Sequence, residues 1–187
     1  MARSLLLLYI ICVAVAVGSC TREHNPVPRR TAWPRPAVID TVMVRAEGAP
    51  LDFRVNRAAR TSSDRPGWLN VAYPMYGAVM YVTFTDVTGA DVDRARRNRM
   101  ERLVLNSGGR PGRESQWTNA AGFEVYTLRT EGVATPLQFV ATDGRTALVS
   151  GAVYFNNLRA DAPADSLAPV LDAIEGDINR CLNALTK

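Results

Sequence analysis

The 187-residue chain contains one histidine, His24, and three cysteines, Cys12, Cys20 and Cys181. A Ser/His/Asp or Cys/His nucleophile needs a base held rigidly beside it, and a zinc site needs ligands fixed in place. His24 lies in a proline-rich stretch close behind Cys20, so histidine-dependent catalysis and histidine-based metal sites are excluded. Cys12 falls in an apolar leader and Cys20 at its end, which leaves Cys181 alone and rules out an internal disulfide. No apolar run reaches the roughly 20 residues that span a bilayer. The longest covers residues 5–17, and no basic stop-transfer cluster follows it. Neither charge sign dominates: 22 Lys and Arg face 18 Asp and Glu, a net charge of +4. The basic residues are scattered, whereas a nucleic-acid binder concentrates them on one face. Internal repeats and any sign of a second domain are also missing.

What is present begins with the leader. Arg3 precedes an apolar run that ends in Val17-Gly18-Ser19-Cys20. Positive start, apolar middle and small-residue end make a secretory signal. The cysteine directly after the small residues makes it a lipoprotein box. A peptidase at the membrane face needs small side chains beside the scissile bond, and the lipidated thiol must sit at the membrane surface. We therefore expect residues 1–19 to be removed and Cys20 to carry acyl chains such as palmitate. Losing Arg3 with the leader lowers the net charge from +4 to +3. Residues 20–37 read as the lipidated cysteine and a tether. Pro26, Pro28, Pro34 and Pro36 disfavour helix and strand alike. In extended polyproline-like geometry, at about 3.1 Å per residue, sixteen residues reach roughly 50 Å.

Residues 38–187 read as a single α+β domain, mainly antiparallel sheet flanked by helices. Strands are predicted at 38–45, 51–56, 69–73 and 79–85, punctuated by Gly48, Pro50, Pro66-Gly67 and Pro74. A helix is predicted from Asp91 to Leu105, capped by Asp91, with Val92, Ala95 and Leu103 on one face. Residues 106–119, rich in Gly, Pro and polar groups, read as a loop. Three more strands, 123–130, 133–142 and 146–155, form a meander around Glu131-Gly132 and Asp143-Gly144. Asp-Gly is a hairpin signal because such turns need positive φ. Pro136 belongs at a strand start, bulge or edge. Leu167, Val170, Leu171, Ile174, Ile178, Cys181, Leu182 and Leu185 make a core-facing helical stripe. Asp165 and Ser166 are its cap candidates, with Pro169 in the first turn.

Few groups invite chemistry. Cys181 on the apolar stripe is a buried, inert thiol. Ser107 to Arg113 lacks the Gly-Lys-Ser/Thr ending of a phosphate loop and follows a helix, so it is a connector. Arg94, Arg96, Arg97, Arg99 and Arg102 point in different directions at about 100° per residue. They do not make one stripe, although lipid headgroups or an anionic partner could use some of them. Among the carboxylates, Asp143 is explained by its turn and Asp161 and Asp165 by capping. Asp172, Glu175 and Asp177 offer no spacing that singles out an acid/base pair. Trp68, Tyr73, Tyr76, Tyr81, Gln138, Tyr154, Phe155, Asn156 and Asn157 gather at strand ends. Tyr76, Asn156 and Asn157 read as surface or structural-loop groups, and the set as a candidate recognition surface.

Several segments together carry a family resemblance. Trp68-Leu69-Asn70-Val71-Ala72-Tyr73-Pro74-Met75-Tyr76, Gln138-Phe139-Val140-Ala141-Thr142-Asp143, and Gly151-Ala152-Val153-Tyr154-Phe155-Asn156 are three of them. Asp165-Ser166-Leu167-Ala168-Pro169-Val170 and Asp177-Ile178 follow. In order and spacing, over roughly residues 50–183, they resemble the gliding-motility lipoprotein D (GldD) family. The chain departs from the family in the Arg-rich 91–105 segment and in lacking a Cys-Pro pair near residue 51. The resemblance implies a PsbP/Mog1-like α+β fold and a cell-envelope lipoprotein without enzyme activity, cofactor or metal. It implies membrane attachment through Cys20, no nucleic acid, and protein partners in the gliding and type IX secretion machinery. The outer membrane is favoured over the inner, facing the periplasm. The alternative reading is a periplasmic binding module for a small ligand or envelope polymer.

Overall fold

The computed structural model describes residues 41–88, 91–156 and 164–187. Cys20, His24, the tether, Asn157 and Asp161 lie outside the described residues, and so does the start of the first expected strand. The elements are β1 (Met43–Arg45), β2 (Arg54–Asn56), β3 (Arg60–Ser62), β4 (Trp68–Tyr73), a 3-10 turn at Pro74–Tyr76 and β5 (Ala78–Asp86). Then come α1 (Val92–Asn106), β6 (Arg113–Thr118), β7 (Glu124–Arg129), β8 (Leu137–Thr142), β9 (Ala147–Phe155) and α2 (Ala164–Asn183).

Seven strands form one antiparallel sheet in the order β3-β4-β5-β9-β8-β7-β6, and β1 pairs with β2 in a separate two-stranded sheet. The fold is α+β, as the alternation of apolar residues and the turn signals indicate. Strand alternation sorts side chains onto two faces. Leu69, Val71, Met80, Val82, Phe139, Val149 and Val153 point to one face, where α2 lays down Val170, Ile174, Ile178, Cys181 and Leu182. Val55 of β2 and Phe53 just before that strand join the same core. On the other face α1 packs Val92, Ala95, Met100 and Leu103 over Val87, Leu128, Val140 and Leu148. Covered on both sides, β8 is buried at every position. The hydrophobic term, about 1.5–3 kcal/mol per fully buried large side chain, thus has two cores to draw on.

The local signals explain most boundaries. The Asp91 carboxylate accepts from the Arg94 N–H at 2.9 Å and caps α1. Pro136 stands directly before β8, where no ladder donor is lost. Two expectations need correction, and one strand was not expected. The stretch 106–119 is not all loop, because β6 occupies Arg113–Thr118 at the sheet edge. β3 was hidden by its polar Arg-Thr-Ser sequence. Finally, α2 begins at Ala164, so Asp165 and Ser166 lie within it and Pro169 falls inside the helix rather than capping its start. Among the described residues no helix is long and apolar enough to cross a membrane.

Candidate functional site

Three groups of polar and aromatic residues stand out, and the first is buried. Asp177 on α2 is 0 % exposed. Its carboxylate accepts from the Tyr73 hydroxyl at 2.8 Å, from Asn56 Nδ2 at 3.2 Å and from Arg180 Nη2 at 3.0 Å. A buried carboxylate with too few donors costs several kcal/mol, and these three contacts offset that. Burial, then the charges of Cys181 and Asp177, hold the Tyr73 hydroxyl well above its usual pKa. Burial, followed by the charge of Asp177, pushes the Cys181 thiol up as well. Both stay protonated, so neither is a nucleophile. The cluster pins β2, β4 and α2 together. Sequence reading missed it because its contacts span 121 and 104 residues.

Other residues from the resembling segments are structural too. Gln138 on β8 donates to the Leu103 carbonyl at 3.3 Å and accepts from Asn106 at 3.0 Å, which fixes α1 on the sheet. Asp143 Oδ1 accepts from the N–H groups of Arg145, Thr146 and Ala147, each at 2.9 Å, closing the β8–β9 turn. The Asn156 N–H donates to the Gly77 carbonyl at 2.8 Å. Tyr76 is not a surface group: it is 5 % exposed and joins the core.

The second group is a surface. Helix α1 packs mainly over β8 and β9 and touches β5 through Arg99 and Thr85, while farther along the same face of the sheet side chains reach solvent. There Trp68 is 44 % exposed, Tyr81 44 % and Tyr154 39 %. These residues alternate with the buried Leu69, Met80 and Val153, so the strand period itself delivers them to solvent. The Arg65 guanidinium sits 4.5 Å from the Trp68 ring centre. Tyr81 and Tyr154 meet edge to face at 5.4 Å. Asn70, opposite Tyr81, lies between them and Asp64. Of the aromatic and amide residues picked from the sequence, Trp68, Tyr81 and Tyr154 are exposed together on one face, while Tyr73, Tyr76 and Gln138 are buried. Exposed Trp, Tyr and Arg are the residue types that anchor protein interfaces.

The third group is ionic. Arg129 pairs with Asp172 and, at 2.9 Å, with Glu175, and Arg113 also reaches Glu175. Arg129 is held above its usual pKa despite burial, because these carboxylates outweigh the desolvation. An open groove of about 790 Å³ runs beside the cluster, lined by Arg110, Arg113, Arg129, Glu131 and Asp172. Arg113, Arg129, Glu131, Asp172 and Glu175 pair with one another, and the cluster joins β6 and β7 to α2. Asp172 and Glu175 are therefore salt-bridge acceptors rather than an acid/base pair. Among the described residues no group of three His, Cys, Asp or Glu side chains could hold a metal ion.

The matched motifs thus build one framework and leave one aromatic face bare. The family model for gliding motility lipoprotein GldD matches residues 23–186. No curated protein matches the chain. With that match running through both cores and both helices, the chain belongs to the gliding motility lipoprotein GldD family.

Proposed function

We propose that this gliding-motility lipoprotein is a non-enzymatic accessory component of the gliding and type IX secretion apparatus, supporting the assembly or stability of other components. Acyl chains on Cys20 hold it to the periplasmic side of the envelope, at the outer membrane, with residues 21–37 as a leash. The domain then engages a protein of the apparatus through the open sheet face. The observation that carries this reading is the exposed Trp68, Tyr81 and Tyr154 set, with Arg65 over Trp68. Three aromatic rings exposed together on one face would gain by burial against a partner, since buried aromatics dominate interface energetics.

The same aromatics favour a second reading, binding of an envelope polymer by ring stacking. Flat stacking needs open, coplanar rings. Arg65 lies against the Trp68 ring, and the two tyrosines stand at 76° to each other. A shaped protein surface fits that relief better than a sugar plane.

The deciding experiment replaces Trp68 and Tyr81 with alanine in the full chain in its native host. Interface anchors of this kind each contribute about 2 kcal/mol or more. Colony spreading and export of surface proteins are expected to fall sharply, with abundance and membrane fractionation of the chain unchanged. Normal motility and export in that variant would overturn the proposal. Separate binding of purified chain to isolated envelope polysaccharide would select the second reading.

A further inference from the structure

We infer that the outer face of α1 docks on an anionic phospholipid surface. Five arginines lie along this helix, and the structure divides them by task. Arg96 pairs with Glu124 at 3.1 Å, and Arg99 donates to the Thr85 hydroxyl at 3.3 Å, so both are tied to the sheet. Arg94, Arg97 and Arg102 are exposed, and among the described residues their side chains form no ion pair. Asp91 is occupied as the cap, which leaves Asp93 and Glu101 as the acidic groups along the helix. The exposed Arg110 follows just beyond the helix end.

The last turn of α1 then breaks its polar character. Val104 is 58 % exposed and Leu105 76 %, although Leu103 between the helix and the sheet is buried. Neither Val104 nor Leu105 contributes to either core. Exposed guanidiniums beside exposed aliphatic side chains on one helix match an interfacial surface: the cations meet lipid phosphates and the apolar tips enter the acyl boundary. The charge complementarity selects an anionic bilayer over a neutral one. Acyl chains and a cationic surface together give the two signals that stable, oriented attachment requires.

The inference rests on the anchored reading only in bringing a bilayer within reach, and the test separates the two. The mature lipidated chain is reconstituted in phosphatidylcholine vesicles with or without phosphatidylglycerol. A polarity-sensitive probe is placed through Asn98→Cys on the outer face of α1, and in a second chain through Ala58→Cys on the β2–β3 connection. Both sites are exposed, and Cys181 is buried and silent to labelling. On phosphatidylglycerol vesicles the probe at position 98 is expected to shift to the blue and be quenched by brominated lipid. High salt should reverse the shift by screening. The probe at position 58 should not respond. Each arginine contributes about fivefold at such a surface, so Arg94→Gln/Arg97→Gln/Arg102→Gln is expected to lower the docked fraction ratio roughly 100-fold. Flotation with the vesicles should persist in that variant through the acyl chains. Failure of the parent chain to float would refute the anchor. Flotation with a position-98 probe indifferent to lipid charge would refute the docking. So would a response requiring native membrane proteins, or one reproduced by a soluble polyanion without lipid.

Discussion

At the residue scale, carboxylates in this fold act by collecting donors. Asp143 gathers three backbone N–H groups, the Thr146 hydroxyl at 2.8 Å and the Lys187 ammonium at 2.6 Å. Burial alone would raise its pKa, but Lys187 and the N–H groups of Ala147, Arg145 and Thr146 win and hold it well below the usual carboxylate range. The unfolded group titrates near 3.9. A carboxyl whose folded pKa is depressed adds stability that is fully present above the unfolded value and drains as pH falls towards the folded one. The urea midpoint is therefore expected to drop below about pH 4. Asp143→Asn keeps the turn geometry and removes the charge. It is expected to cost about 1–3 kcal/mol at neutral pH and to flatten the acid loss. Equal acid slopes in the two chains would refute this account. The turn role of Asp143 is readable in the sequence from Asp-Gly between apolar runs. The Asp177 cluster is not, because no local pattern announces that Asn56, Tyr73 and Asp177 meet.

At the scale of elements, the β8–β9 ladder contains a contact that explains a glycine in a central strand. Gly151 lies directly opposite Phe139. A Cβ at position 151 would stand 2.4 Å from the Phe139 ring and 3.1 Å from the Tyr81 carbonyl. The ring uses the space above the glycine, which supplies apolar cover that glycine itself lacks. Gly151→Ala is expected to cost about 1–3 kcal/mol through overpacking. Adding Phe139→Leu should recover part of that loss, giving a coupling of about 0.5–3 kcal/mol in a double-mutant cycle measured by urea unfolding. Additive losses would mean that the ring simply moves aside. Elements with strong periodicity, α2 and the paired strands β8 and β9, are legible because burial on one or both faces dictates their residue types. β3 and β6 are not, since these edge strands are exposed at every position but Trp117 and carry Arg, Thr, Ser, Glu and Gln. Their strand state comes from a neighbour's open hydrogen bonds and not from their own residues.

At the scale of the molecule, segments far apart in the chain converge on one framework: Tyr73 meets Asp177, Gln138 reaches α1, and Asn156 closes on Gly77. Of the residues that carry the resemblance, Tyr73, Gln138, Asn156 and Asp177 hold the domain together, whereas Trp68 and Tyr154 join Tyr81 on the exposed sheet face. That division accounts for what the sequence could and could not tell. Packing leaves a periodic imprint, whereas a face left bare looks like any strand until its covering helix is seen to stop short. Such a domain has no described helix able to hold it in a bilayer, so on our reading its place in the envelope depends on Cys20. Cys20→Ser removes the thiol that the acyl chains need. A single acyl chain gives only marginal membrane binding, and two signals give stable attachment. The variant is expected to leave the membrane fraction and lose its export-dependent function. Residues 38–187 should fold as before, with an unchanged urea midpoint, because the described residues of both cores lie between Met43 and Leu185. Unaltered membrane partitioning of Cys20→Ser would show that the apolar leader itself is the anchor. A shifted urea midpoint would show instead that the anchor region supports the fold.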